Sequence, residues 1–257
     1  MRDDPSRSQS APSSTRRRLL AAGGAGLTLS GLAGCLGMGG GGGDGGGNGS
    51  GGSEGSGGGG SGTPIAEHDA ATAIDAQPSR GPDPLDAPAT LIAFEDPSCS
   101  RCRAFETNVV PKLEADIEAG NLAFVSRTYP VVYPWGKPAT QALEATYARV
   151  ENEEAGADAY WGLFDHYFAE QDAFSADNVL SRTESWLAEN TDLDAAAVVA
   201  DAEAKEFDDA VQTDLDAGDA AGANGTTPSL FLFRDGTYRT KAQGSVSYDV
   251  IASALEL

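Results

Sequence analysis

Hydrophobic residues are spaced unevenly along this chain, and their spacing predicts where strands and helices fall. Ala89-Thr-Leu-Ile-Ala-Phe-Glu95 is a short, nearly continuous apolar run between Pro88 and Pro97, the pattern of a buried strand. Beyond it Phe105, Val109, Leu113 and Ile117 recur every four residues, which places them on one face of a helix. Pro111 deletes a backbone donor from that helix and predicts a kink, and Gly120 is placed to cap its C-terminus. Leu122–Thr128 reads as a second strand. Strand, helix and strand with short joins make a βαβ unit, so the two strands are expected to run parallel.

From Pro138 to Gly222 the periodicity is helical. Helices are expected over 139–150 and 159–170. A third, capped by Ser175, carries Val179, Leu180, Trp186 and Leu187, and Phe207, Val211 and Leu215 mark a fourth. An apolar strand follows Pro228 directly, and Asp235-Gly236 signals a hairpin turn. Residues 237–242 return as an edge strand, and Ser247 opens a closing helix through Val250, Ile251 and Leu255. The apolar faces of the middle helices read as the core of a helical subdomain. His166, within Tyr160-Trp-Gly-Leu-Phe-Asp-His-Tyr-Phe168, reads as a packing residue.

Composition narrows what the 257 residues can build. Eighteen of the 33 glycines fall within residues 36–62, a Gly/Ser stretch that cannot form a core. Pro78, Pro82, Pro84 and Pro88 make 63–88 a stiffer linker, so the compact fold is expected to begin near Ala89. The formal net charge is −22. Residues 1–34 hold five arginines against Asp3 and Asp4, a net of +3, so everything from Cys35 onward carries −25. Phosphate backbones would repel such a body, and nucleic acid is therefore excluded as a partner. The chain has only four lysines and disperses its acids, a pattern resembling proteins of extreme halophiles. Molar salt shortens the screening length to about 3 Å, so dispersed carboxylates repel little there.

The N-terminal residues read as processing signals. Thr15-Arg16-Arg17-Arg18-Leu19-Leu20 resembles a twin-arginine export signal, and the apolar run 19–34, with five glycines, is short for a permanent span. Leu32-Ala33-Gly34-Cys35 resembles a lipobox, which implies cleavage before Cys35 and a diacylglyceryl group on its sulfur. Residues 36–62 would then be a tether with a root-mean-square reach of roughly 26–31 Å. The organisation expected is a signal over 1–35, a tether over 36–62, a linker over 63–88 and one domain over 89–257. Asn48 and Asn224 stand in glycosylation sequons.

The chemistry lies in Asp96-Pro97-Ser98-Cys99-Ser100-Arg101-Cys102. Cys99 and Cys102 sit at the first turn of a helix after a strand, three residues apart, so their sulfurs are neighbours. Unpaired N–H groups at the helix start stabilise a thiolate on Cys99, and the Arg101 cation adds to them. Both lower its pKa below the roughly 8.5 of a free thiol, and the account requires sulfurs that are not buried. Zinc is the competing reading. It wants four ligands, and His68 and His166 are not at ligand spacing. A structural disulfide is another, although a bond closing so short a loop restrains the unfolded chain little. No cofactor and no metal are expected.

Some 126 residues after Cys102 come Gly225-Thr226-Thr227-Pro228 and the strand they open. Phe94-x-Asp96-x-x-Cys99-x-x-Cys102 together with this loop resembles the thioredoxin superfamily, and within it the DsbA-like branch. The resemblance covers about residues 77–257. It implies an α/β thioredoxin-like fold with a helical insertion at about 138–222, and a cis-proline at Pro228, preceded by Thr227, facing the cysteines. It also implies an extracytoplasmic thiol–disulfide oxidoreductase, in the oxidase direction first, acting on protein thiols and disulfides as a lipid-anchored monomer. A reductase on the outer membrane face, and a non-enzymatic surface lipoprotein with a structural disulfide, are the alternatives. Two departures stand out. The family often places an acid six residues before the first cysteine, where this chain has Ala93, and Ser100-Arg101 replaces the commoner dipeptides. Strand alternation puts Glu95 on the Ala93 face and Asp96 on the other.

Overall fold

A computed structural model describes residues 62–257. The signal, most of the tether, Cys35 and Asn48 lie outside the described residues. Five strands form one sheet in the order β1 (Ser79–Arg80), β3 (Leu122–Thr128), β2 (Ala89–Glu95), β4 (Ser229–Arg234), β5 (Thr237–Gln243). β2 and β3 pair in parallel, and β4 runs antiparallel to both β2 and β5. Every residue of β2 and β3 is buried, as central strands covered on both faces must be. Asp235 and Gly236 make the β4–β5 turn with φ of 52° and 69°, the left-handed pair such a hairpin requires.

Alternation along β2 divides the core. Ala89, Leu91 and Ala93 face α1 (Ser100–Asn108), α2 (Val110–Glu118) and α8 (Tyr248–Leu255), whereas Ile92 and Phe94 face the other layer. Between β3 and β4 run five helices: α3 (Gly136–Glu151), α4 (Ala157–Ala169), α5 (Val179–Asn190), α6 (Ala195–Ala204) and α7 (Asp208–Ala220). α7 returns to the sheet and packs Ala217 and Ala221 against Phe94 and Phe231.

Four sequence expectations need correction. Residues 63–88 are not a linker: Ile65, Ala70, Ala71 and Ile74, on short 3-10 turns, cover Ile92, Val125, Phe231 and Phe233. The sheet would otherwise expose that face to water. The helix after Cys99 is two helices, broken at Val109, because Pro111 is accommodated in the first turn of α2 rather than in a helix interior. Asn178, not Ser175, precedes α5, and Asn178 Oδ1 accepts the Ser175 N–H at 2.7 Å. Ser247 does stand before α8, but its side chain makes no capping bond. The alanine-rich α6 had no periodic large residues to announce it.

One buried ion pair ties these layers together. Arg127, on β3 and 1% exposed, donates from Nε and Nη2 to Asp214 Oδ1 on α7 at 2.9 and 2.7 Å. Its Nη1 reaches the carbonyls of Ala70 and Thr72 at 2.9 and 2.7 Å. Asp214 Oδ2 accepts the Thr128 N–H at 2.8 Å. A single guanidinium thus holds the N-terminal turns, the sheet and α7. Removing one member leaves the other charge buried and unpaired, so Arg127→Met is expected to lower stability by about 3–5 kcal/mol. Urea unfolding checks this, and a loss below about 1 kcal/mol would show that the pair is dispensable.

Candidate active site

β2 delivers the chain to Glu95, and the next residues turn it into α1. Asp96 fastens that turn. Its Oδ1 accepts the Ser98 N–H at 2.8 Å and the Ser98 hydroxyl at 2.6 Å, while Oδ2 accepts the N–H groups of Val131 and Val132 at 2.8 and 2.7 Å. Ser98 Oγ in turn accepts the Tyr133 N–H at 3.0 Å. A Cβ at Gly136 would collide with Asp96 Oδ1, which requires glycine where α3 begins. From the opposite side Gln171 Nε2 donates to the carbonyls of Pro97 and Cys99 at 2.8 and 3.1 Å. The turn that carries the cysteines is fixed from both sides by these bonds.

Cys99 occupies the N-cap position of α1, and Cys102 lies one turn in. Both are free thiols. The Thr227–Pro228 peptide is cis, and the Cys99 Sγ donates to the Thr227 carbonyl at 3.5 Å. Gly244 N–H to the Pro228 carbonyl at 2.9 Å and Gln243 Nε2 to Ser229 Oγ at 2.7 Å lash this loop to β5 and the residue after it. The Tyr129 hydroxyl binds Asp219 and accepts the Gly225 N–H at 3.1 Å. Cys99, Cys102, Thr227 and Pro228 therefore converge, as the sequence analysis expects. Arg101 lies at the rim, exposed, with its guanidinium near Gly244.

One expectation fails. The sulfurs are not open to solvent: Cys99 keeps 3% of its surface and Cys102 none. The Thr227 carbonyl packs on the Cys99 sulfur at 3.5 Å, and what little exposure the pair keeps belongs to Cys99.

The two thiols differ electrostatically. The Cys99 pKa is pushed down to about 5, first by the hydrogen bond from the Cys102 thiol. Burial opposes this, and the Thr227 side chain and the N–H groups of Cys102 and Arg101 add to it. The Thr227 hydroxyl has no other partner, which leaves it free to donate to a thiolate. The expectation that the Arg101 cation lowers this pKa is not met: Arg101 acts on the sulfur through its backbone N–H, and its side chain is exposed. Cys102 moves the opposite way: burial raises its pKa, as do the hydrogen bond to Cys99 and the facing Glu95 carboxylate.

Sequence reasoning left Glu95 undecided and missed Glu106. Both are buried, at 1% and 9% exposure, and the Glu95 carboxyl faces Glu106 and the Cys102 thiol. Burial raises the Glu95 pKa well above the usual carboxylate range, and Glu106 opposite raises it further. The Glu106 pKa rises to about 7, again chiefly from burial. Two facing acids that cannot both ionise cheaply hold a proton beside Cys102. Glu95 thus stands two residues further along the same strand face than Ala93, with its carboxyl beside Cys102. Glu106 lay unrecognised among the polar residues of α1.

A thioredoxin family model matches residues 84–253. Several solved structures share the fold. Oxidised BdbD of Bacillus subtilis superposes with a TM-score of 0.59 at 22% identity, over 77% of this chain and 98% of that one. DsbA of Chlamydia trachomatis gives 0.57 at 18% identity, over 70% and 88%. The thiol-disulfide exchange protein alpha-DsbA2 of Wolbachia pipientis gives 0.55 at 16%, over 73% and 92%. No curated protein matches the chain.

Titration of the reduced protein by thiolate absorbance is expected to show a midpoint at about 5 for Cys99. Thr227→Val, which keeps the carbonyl and removes the hydroxyl, is expected to raise that midpoint by about one pH unit. An unchanged midpoint would remove Thr227 from the account.

Proposed function

The chain belongs to the thioredoxin family, and from that membership and the asymmetry of its two thiols we propose that it is a thiol–disulfide oxidoreductase of protein substrates, working as an oxidase. The observation that carries this reading is the Cys99 pKa of about 5 beside a Cys102 pushed upward. A thiolate this stable is a good leaving group, which makes the disulfide form oxidising.

In the oxidised protein a substrate thiolate attacks Cys99, and the Cys99–Cys102 bond breaks. Cys102 leaves as a buried thiolate and takes a proton from the Glu95–Glu106 pair, whose raised pKa values keep that proton available near neutrality. The substrate's second thiolate then attacks its own sulfur in the mixed disulfide, and Cys99 departs as the stabilised thiolate. The substrate gains a disulfide, and two electrons rest on the cysteine pair. A reductase runs the same steps backwards. The structural-disulfide reading has the burial of both sulfurs in its favour. Against it stand a lowered thiol and a proton-holding acid, neither of which a mere staple needs.

The proposal extends to the cell. Residues 1–35 direct export, Cys35 carries a diacylglyceryl anchor, and residues 36–62 tether a monomeric catalytic domain to the outer face of the membrane of a halophile. An oxidising compartment suits the oxidase direction.

Cys102→Ser is expected to accumulate mixed disulfides on Cys99 when the folded protein is incubated with disulfide-containing proteins, seen as reductant-sensitive adducts on gels. At pH 6 Cys99 of the reduced wild type should alkylate without denaturant while Cys102 does not. Recovery of no adduct from a folded variant, with Cys99 inert to alkylation, would leave the structural reading standing.

A further inference from the structure

The acid pair beside Cys102 has a way out to solvent. Glu106 lines a cleft of about 240 Å³ whose other charged members are Arg80, Glu114 and Asp165. Arg80, on β1, donates from Nη1 to Glu114 Oε1 at 3.0 Å and from Nη2 to both Asp165 oxygens at 3.3 and 3.4 Å. Its guanidinium also lies over the Trp161 ring, 4.2 Å from the centroid. One cation therefore joins β1, α2 and α4 beside a buried acid of α1.

Exposure falls in steps along this cluster. Asp165 keeps 58% of its side-chain surface, Glu114 41% and Arg80 20%. Glu106 keeps less, Glu95 less again and Cys102 none. Glu95 faces both Glu106 and the Cys102 thiol, so titratable groups line the way from water to the second sulfur. The charged groups facing Glu106 are Glu95 on β2, Glu114 on α2, Asp165 on α4 and Arg80 on β1. Arg103, three residues earlier on α1, is turned to Asp172 at 2.8 Å. The cleft also opens away from the proline loop. Arg101, Ala104 and Asn108 line a groove toward α8, and Arg101 lies near Gly244, whose N–H holds the Pro228 carbonyl. Glu106 and Thr107 line the cleft instead. Residues three and four apart share a helix face, so the two openings lie on opposite flanks of α1. A substrate seated against Thr227 and Pro228 leaves the cleft uncovered.

We propose that the Arg80–Glu114–Asp165 cleft is the proton port of this active site, and that Arg80 is the positioning residue that governs it. This rests on the redox reading above. When Cys102 leaves as a thiolate, Glu95 gives it a proton and Glu106 restores that proton to Glu95. Hydronium or a small buffer acid in the cleft then restores it to Glu106, and the conjugate base returns to solvent. Arg80 offsets the carboxylates of Glu114 and Asp165, so Glu106 both takes up and releases a proton near neutrality.

Two readouts test this, at the lowest salt at which the fold persists by circular dichroism, because molar salt screens such charges. The first is the titration of the Glu106 carboxyl in the reduced protein, followed by carbon-13 NMR and assigned with Glu106→Gln. Arg80→Gln is expected to raise the midpoint and Asp165→Asn to lower it, each by at least about half a pH unit. Arg80→Lys, which keeps the charge, is expected to hold the midpoint near that of the wild type. The second is the rate at which the oxidised protein reacts with glutathione, corrected for the thiolate fraction, as pH rises. Its alkaline fall is expected to move with the midpoint, up in Arg80→Gln and down in Asp165→Asn. A structural loss would lower both rates without moving the two profiles in opposite directions. Midpoints that stay in place, midpoints that move the same way in both variants, or a rate profile that ignores shifted midpoints would each overturn the port. A wild type inert to glutathione overturns the redox reading instead, and the carbon-13 titration still shows whether the cleft governs the Glu106 proton.

Discussion

Two sulfurs three residues apart are held in opposite electrostatic environments, and the rest of the domain serves that difference. Cys99 gathers donors from the helix start, from Cys102 and from Thr227, and its pKa falls to about 5. Cys102, fully buried, faces Glu95, and its pKa rises. The contrast needs the end of β2 and the first turn of α1, neighbours in sequence, to meet the loop before β4, which lies more than 120 residues further on. Each is fixed by hydrogen bonds that do not involve the cysteine sulfurs. The Asp96 and Gln171 bonds set the turn, and those of Gln243, Gly244 and Tyr129 set the loop.

That scaffold explains why so acidic a chain keeps carboxyl groups inside. Asp96 is buried where it organises backbone, Asp214 where it answers Arg127, and Glu95 and Glu106 where they face each other beside Cys102. The first two have donors on their oxygens. Glu95 faces only a second acid and a thiol, Glu106 and Cys102, and its burial beside that acid favours the protonated form. The same residue type is therefore structural in one place and chemical in another, and the hydrogen-bond inventory tells them apart.

Much of this was legible in the sequence. Ala89–Glu95 and Leu122–Thr128 are strands to the residue because continuous apolar runs bounded by prolines or polar joins leave few other solutions. The Cys-x-x-Cys turn and Pro228 were legible because each follows or opens a strand. Residues 63–88 were not: four prolines outweighed Ile65, Ala70, Ala71 and Ile74, whose partners lie across the sheet and leave no local period. Burial of Cys99 was hidden for the same reason, since Thr227 and Pro228 cover it from more than 120 positions away. Glu95 showed its face by alternation, but the facing Glu106 that raises its pKa is a contact no spacing reveals.

The reduction potential of the Cys99–Cys102 couple, measured by equilibration with glutathione, tests the central claim most directly. Selective stabilisation of the reduced form through the Cys99 thiolate predicts an oxidising couple, at about −180 mV or higher. A value at or below about −270 mV, where thioredoxin-type reductants lie, would contradict it.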